Sequence, residues 1–131
     1  MTELDHIALY TSQLEVIRHF YEKYFGATTN EKYVNPRKGF ESYFLSFSGE
    51  SRLEIMQKKT VANGANSEGT EYLGLTHFAL SVGNKEEVVQ LTERLRADGH
   101  KVVGEPRTTG DGYYESVVLD PDGNRVEIIA S

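Results

Sequence analysis

Two histidines and two glutamates are the residues through which this sequence can do chemistry. His6 stands in Leu4-Asp5-His6-Ile7-Ala8-Leu9 and His77 in the closely similar Leu75-Thr76-His77-Phe78-Ala79-Leu80. Glu54 lies in Arg52-Leu53-Glu54-Ile55 and Glu127 in Arg125-Val126-Glu127-Ile128. The interval between the two His settings nearly equals that between the two Glu settings, so one structural unit is used twice, each copy offering a His early and a Glu late. Isolated, a strand His is ordinarily structural and a strand Glu ordinarily solvated. Here both carboxylates sit among Leu, Val and Ile, where an unpaired one would cost several kcal/mol or take up a proton. A divalent cation removes that cost. Two neutral imidazoles and two carboxylates carry a net charge that neutralises such an ion, and Ni²⁺, Co²⁺, Zn²⁺, Mn²⁺ or Fe²⁺ accept N₂O₂ sets with positions left for water.

What surrounds these residues limits the alternatives. The chain of 131 residues falls in the range of one domain, with a net charge of −6 and no Cys. Thiolate metal sites, iron–sulfur clusters, disulfides and cysteine nucleophiles are thereby excluded. No Lys/Arg run exceeds two residues, which argues against nucleic acid or an anionic membrane as partner and for a small molecule or another protein chain. No segment approaches the roughly 20 apolar residues of a membrane span, and no basic-then-apolar leader opens the sequence, so a cytoplasmic location is expected. Neither a nucleophile elbow nor a phosphate-cradling glycine loop is present.

The elements that must position the four residues follow from local pattern. Residues 4–10 predict a strand with His6, Ala8 and Tyr10 on one face and Ile7 and Leu9 on the other. Ser12-Gln13-Leu14-Glu15 reads as a capping box starting a helix at Gln13, with Val16, Ile17, Phe20, Tyr21, Tyr24 and Phe25 as its apolar stripe and Gly26 as its stop. A short strand within 27–34, a turn at 35–39, and strands at 40–47 and 52–57 complete module 1, about residues 3–58. Residues 59–72, polar and without periodicity, read as a linker.

Module 2, about residues 73–131, repeats the plan. A strand covers 75–82, Asn84 with Glu87 opens a helix carrying Val88, Val89, Leu91 and Leu95, and Gly99 ends it. A strand at 100–103, a loop at 104–112, a strand at 113–119, the turn Asp120-Pro121-Asp122-Gly123 and a last strand at 124–130 follow. Glu41-Ser42-Tyr43-Phe44-Leu45 matches Glu115-Ser116-Val117-Val118-Leu119. His19 and His100 read as surface residues.

On these landmarks, and over nearly its whole length, the chain resembles the vicinal oxygen chelate superfamily, the group of glyoxalase I, bleomycin-resistance proteins and extradiol dioxygenases. The resemblance implies an α+β fold of two tandem βαβββ modules, whose cupped mixed sheets enclose a metal site. It also implies His6, Glu54, His77 and Glu127 as the metal ligands, closest to the set of glyoxalase I. Fosfomycin-resistance enzymes and extradiol dioxygenases use two His and one Glu, and methylmalonyl-CoA epimerase resembles the set with Gln at the Glu54 position. The implied reaction is proton transfer next to a carbonyl through a metal-stabilised enediolate, turning a 2-oxoaldehyde thiol hemithioacetal into a 2-hydroxyacyl thioester. Glu127 first, and Glu54 second, would move the proton.

Glutathione or another thiol would be the co-substrate. Tyr10 and Lys58 stand where glyoxalase I commonly has the Arg and Asn that hold glutathione carboxylates, so that clamp is not visible. Tyr10, Lys58, Arg107 and Tyr113 are the candidate substrate-binding residues. Homodimers are the usual assembly in the family. The other classes the residues allow are an epimerase or oxygenase of the same superfamily and a non-enzymatic small-molecule binding or resistance protein.

Overall fold

Parallel pairing between the first and last strand of each module is what makes the early His a diagonal neighbour of the late Glu. The computed structural model describes residues 1–62 and 73–131. The chain divides into two compact units, Met1–Gly64 and Ala65–Ser131. The second part of the linker expected at 59–72 lies outside the described residues.

In the first unit, β1 (His6–Tyr10), α1 (Leu14–Phe25), β2 (Thr28–Thr29), β3 (Tyr33–Asn35), β4 (Phe40–Ser46) and β5 (Arg52–Lys58) form a mixed sheet in the order β1-β5-β4-β2, with β3 also paired to β4. β5 runs parallel to β1, His6 beside Arg52 and Ala8 beside Glu54, and antiparallel to β4, where Phe44 is opposite Glu54. Period-two alternation separates the two faces: Leu45, Leu53 and Ile55 are buried toward α1, while His6, Arg52, Glu54, Ser42 and Phe44 point to the other side.

α1 buries Leu14, Ile17, Phe20, Tyr21 and Tyr24. Its stop is as expected, Gly26 taking the left-handed conformation at φ 67°. Its start is not. No side chain caps Gln13 in the capping-box manner. Instead the Gln13 amide donates to Thr11 Oγ1 at 3.0 Å, and the Leu14 amide to Gln57 Oε1, 3.1 Å away on β5. A tertiary acceptor thus does the work the local box would have done. Glu15 turns outward to Arg18, Lys32 and Tyr43, and Val16, expected in the stripe, is exposed.

The second unit repeats the topology with β6 (His77–Gly83), α2 (Lys85–Ala97), β7 (Val102–Thr108), β8 (Tyr114–Leu119) and β9 (Arg125–Ala130), in the sheet order β6-β9-β8-β7. Again the outer pair is parallel, His77 beside Arg125 and Ala79 beside Glu127. Asn84 caps α2 by accepting from the Glu87 amide at 2.9 Å, as the sequence predicts. Val88, Thr92 and Leu95 are its buried face, and Val89 is exposed. Thr92 makes a buried polar tie to the sheet, its hydroxyl 2.7 Å from that of Ser116 and 2.6 Å from the Val88 carbonyl.

The segment 104–112, expected as a loop, is strand as far as Thr108. β7 tolerates Gly104 and Pro106 because it is the sheet's edge and its pairing with β8 shifts register around them. The turn at Asp120 forms as expected: its Oδ1 accepts from the amides of Asp122 and Asn124, and its Oδ2 from the Asn124 side chain, each at 2.9 Å. The architecture is α+β, two similar modules each built on a mixed sheet and one long helix. Among the described residues, no helix is long and apolar enough to cross a membrane.

Candidate metal centre

Each unit sets one imidazole against one carboxylate on the sheet face turned away from its helix. In the first, His6 Nε2 stands 3.6 Å from Glu54 Oε1. In the second, His77 Nε2 stands 3.0 Å from Glu127 Oε2. The Glu side chains are 19 % and 20 % exposed and the imidazoles 37 % and 38 %, so each pair is half-sunk in its sheet face.

These separations suit a shared ion. Two donors each about 2.1 Å from one cation stand about 3.0 Å apart at a right angle and about 3.4 Å apart at the tetrahedral angle. The second pair already matches, and the first needs a shift of a few tenths of an ångström within side-chain freedom. The donor set, neutral nitrogen and anionic oxygen, is that of borderline divalent cations. Among the described residues, no group of three or more His, Asp or Glu side chains is gathered closely enough to hold a metal ion. Each unit offers one His and one Glu.

The surroundings of the two pairs differ. Behind His6, Asp5 Oδ2 is 2.7 Å from Nδ1 and 2.9 Å from Arg52 Nη2. The Asp5 carboxyl is held below the usual carboxylate range, first by its hydrogen bond with His6 and then by Arg52. The Arg52 guanidinium lies 4.2 Å from the centre of the Phe44 ring, and Phe44 meets the His6 ring edge-on at 5.3 Å.

In the second unit the distinctive neighbour is a carboxylate. Glu115, 8 % exposed, lies on the same face of β8 as Val117, which is opposite Glu127. Burial first, and the nearby Glu127 second, raise its pKa above the ordinary Glu value. Glu115 escaped notice as a site residue because its local match to Glu41 is one position out of step with the sheets. Phe44 faces Glu54 as Val117 faces Glu127, so Ser42, not Glu41, occupies the place of Glu115. Counting back from Glu127 through the Asp120 turn in steps of two would have found it.

The remaining candidates are placed unevenly. Tyr10 shares the face of His6 and is exposed, and Lys58 ends β5 on that face, opposite Phe40. Arg107 lies across from Glu115 in the β7–β8 pairing, and its guanidinium stands over the backbone at Gly104. Tyr113 is exposed just ahead of β8. His19 is exposed, as expected, whereas His100 is partly buried.

Known proteins of the same build extend this picture. The chain is similar, at 31 % identity over 97 % of its length and 98 % of the other's, to the uncharacterized protein YqjT of Bacillus subtilis (strain 168). A glyoxalase family protein from Enterococcus faecalis is 26 % identical with a TM-score of 0.76, covering 97 % of this chain and 96 % of its own. Glyoxalase I of Zea mays, solved as its V278E mutant, shares the fold at a TM-score of 0.77 and 24 % identity. The match covers 98 % of this chain but only 44 % of the maize chain. A family model describing the Glyoxalase/Bleomycin resistance protein/Dioxygenase superfamily matches residues 3–128. The chain therefore belongs to that superfamily.

Proposed function

We propose that this protein is a metal-dependent lyase or isomerase of the glyoxalase I type, acting on a small carbonyl compound. In this reading His6, Glu54, His77 and Glu127 hold a divalent ion, each module supplying one imidazole and one carboxylate. The observation that carries it is the pairing of Nε2 with a carboxylate oxygen at 3.6 Å and 3.0 Å on equivalent strand pairs of both modules. Glu54 beside His6 favours this reading over a two-His-one-carboxylate oxygenase, which has no use for a fourth donor.

When bound, the ion supplies positive charge that polarises the substrate carbonyl and lowers the cost of removing the adjacent C–H proton. Glu127 takes that proton and returns it to the neighbouring carbon, and Glu54 is the second candidate for the same task. Tyr10, Lys58, Arg107 and Tyr113 supply substrate contacts. Lys58 is the cation of β5 suited to an anionic substrate group, because Arg52 on the same strand is already engaged by Asp5. The thiol partner is glutathione or another small thiol, and the assembly is a homodimer.

The test joins metal content to turnover. Elemental analysis of the purified protein should find a divalent metal that is lost in the Glu54→Gln, Glu127→Gln double variant. Isomerisation of methylglyoxal plus glutathione, or plus another low-molecular-weight thiol, should be abolished by chelation and restored by the metal. Equal metal in both proteins would remove the ligand assignment. Metal without turnover of any thiol hemithioacetal would remove the reaction.

A further inference from the structure

The two imidazoles are not held in the same way. His6 is one member of a ring of side-chain contacts that closes on itself: Nδ1 meets Asp5 Oδ2 at 2.7 Å, Asp5 meets Arg52 at 2.9 Å, Arg52 covers Phe44 at 4.2 Å, and Phe44 abuts the His6 ring at 5.3 Å. At the equivalent places around His77 the sequence has Thr76, Arg125 and Val117. Neither a carboxylate in the Asp5 position nor an aromatic in the Phe44 position is available there. His77 relies on its direct contact with Glu127.

We propose that Asp5, braced by Arg52 and Phe44, is a positioning residue that fixes the tautomer and tilt of His6 and makes Nε2 its donor atom. The inference rests on the reading of His6 as a metal ligand. Its physical basis is the inventory of hydrogen-bond roles. An ionised carboxylate only accepts, so the imidazole nitrogen facing Asp5 must carry the hydrogen, and in the neutral ring the other nitrogen then keeps its lone pair. That other nitrogen is Nε2, the atom beside Glu54. Arg52 also donates to Asp5 Oδ2 at 2.9 Å, and Phe44 packs edge-on against the His6 ring at 5.3 Å. Carboxylates that orient a ligating imidazole in this way typically contribute ten- to a hundredfold in metal affinity.

Two readouts on the full chain test this, one of which needs no metal. In metal-free, ¹⁵N-labelled protein near pH 8, where an ordinary imidazole is neutral, two-bond ¹H–¹⁵N correlations should show His6 mainly with hydrogen on Nδ1. In Asp5→Ala the Nε2–H form should gain. Asp5→Asn, which keeps an acceptor oxygen, should fall between. Titration with Co²⁺ alone, read by its visible absorption, should show binding weakened about tenfold or more in Asp5→Ala, less in Asp5→Asn, and little changed in Thr76→Ala. An unchanged tautomer together with an unchanged Co²⁺ dissociation constant in Asp5→Ala would overturn the proposal. Wild-type protein that fails to bind Co²⁺ would overturn the metal reading instead, and the tautomer result would then decide the role of Asp5 by itself.

Discussion

Glu115 and Glu127 are diagonal neighbours on one face of the β8–β9 hairpin, two carboxylates side by side on a sheet surface with Glu115 almost wholly buried. Burial first and Glu127 second raise the Glu115 pKa above the ordinary value of 4.5, so at pH values between the two the folded chain keeps a proton that the unfolded chain has released. Its contribution to stability is therefore full below 4.5 and is lost as pH rises through the folded-state pKa. In metal-free protein, Glu115→Gln should melt above wild type at pH 7 to 8, and the two curves should converge near pH 4. A melting difference that is constant across this range would mean that neither burial nor Glu127 raises the Glu115 pKa.

The Asp120 side chain holds three donors at the turn between β8 and β9 while itself 4 % exposed. Replacing it by Ala leaves two backbone amides and one side-chain amide to find water, a loss of about 1–3 kcal/mol in urea denaturation. Asp120→Asn, which keeps one acceptor oxygen, should lose less. Equal losses would show that charge rather than hydrogen-bond count is what the turn needs.

Thr92 and Ser116 bind each other in a fully buried position between α2 and the second sheet. Thr92→Val should cost about 1–3 kcal/mol, because it strands the Ser116 hydroxyl. Adding Ser116→Ala should recover part of that loss, a non-additivity measurable by a double-mutant cycle. Strict additivity would show that the two hydroxyls contribute independently of each other.

Much of this was legible in the letters, and the exceptions have common causes. The duplicated His and Glu settings announced both modules, and Gly26, Asn84 and Asp120 punctuated the chain where local chemistry alone decides. The Ser12 capping box failed because Gln57, distant in sequence, reaches the first amide of the helix. Val16 and Val89 fit helical spacing and are exposed because the buried stripe of each helix is narrower than its apolar content. Gly104 and Pro106 read as loop because composition carries no sign that a strand lies at a sheet edge, where both are tolerated. Glu115 was matched to Glu41 by its letters, yet a one-residue offset reverses every side chain in a strand.

Metal occupancy should register as stability. A cation bound only by the folded state at a hundred times its dissociation constant adds about 2.7 kcal/mol. Saturating Co²⁺ should therefore raise the melting temperature of wild type, and the rise should shrink in His6→Ala, Glu54→Gln, His77→Ala and Glu127→Gln. A rise that survives in all four would place the ion elsewhere.

The pairing of β1 with β5, and of β6 with β9, joins the beginning of each module to its end. Contacts between such distant positions close the longest loops of the module and so form late in its assembly. On a ribosome, His6 waits for Glu54 until nearly the whole first half has emerged, and His77 waits likewise for Glu127. Neither couple exists in a half-made module.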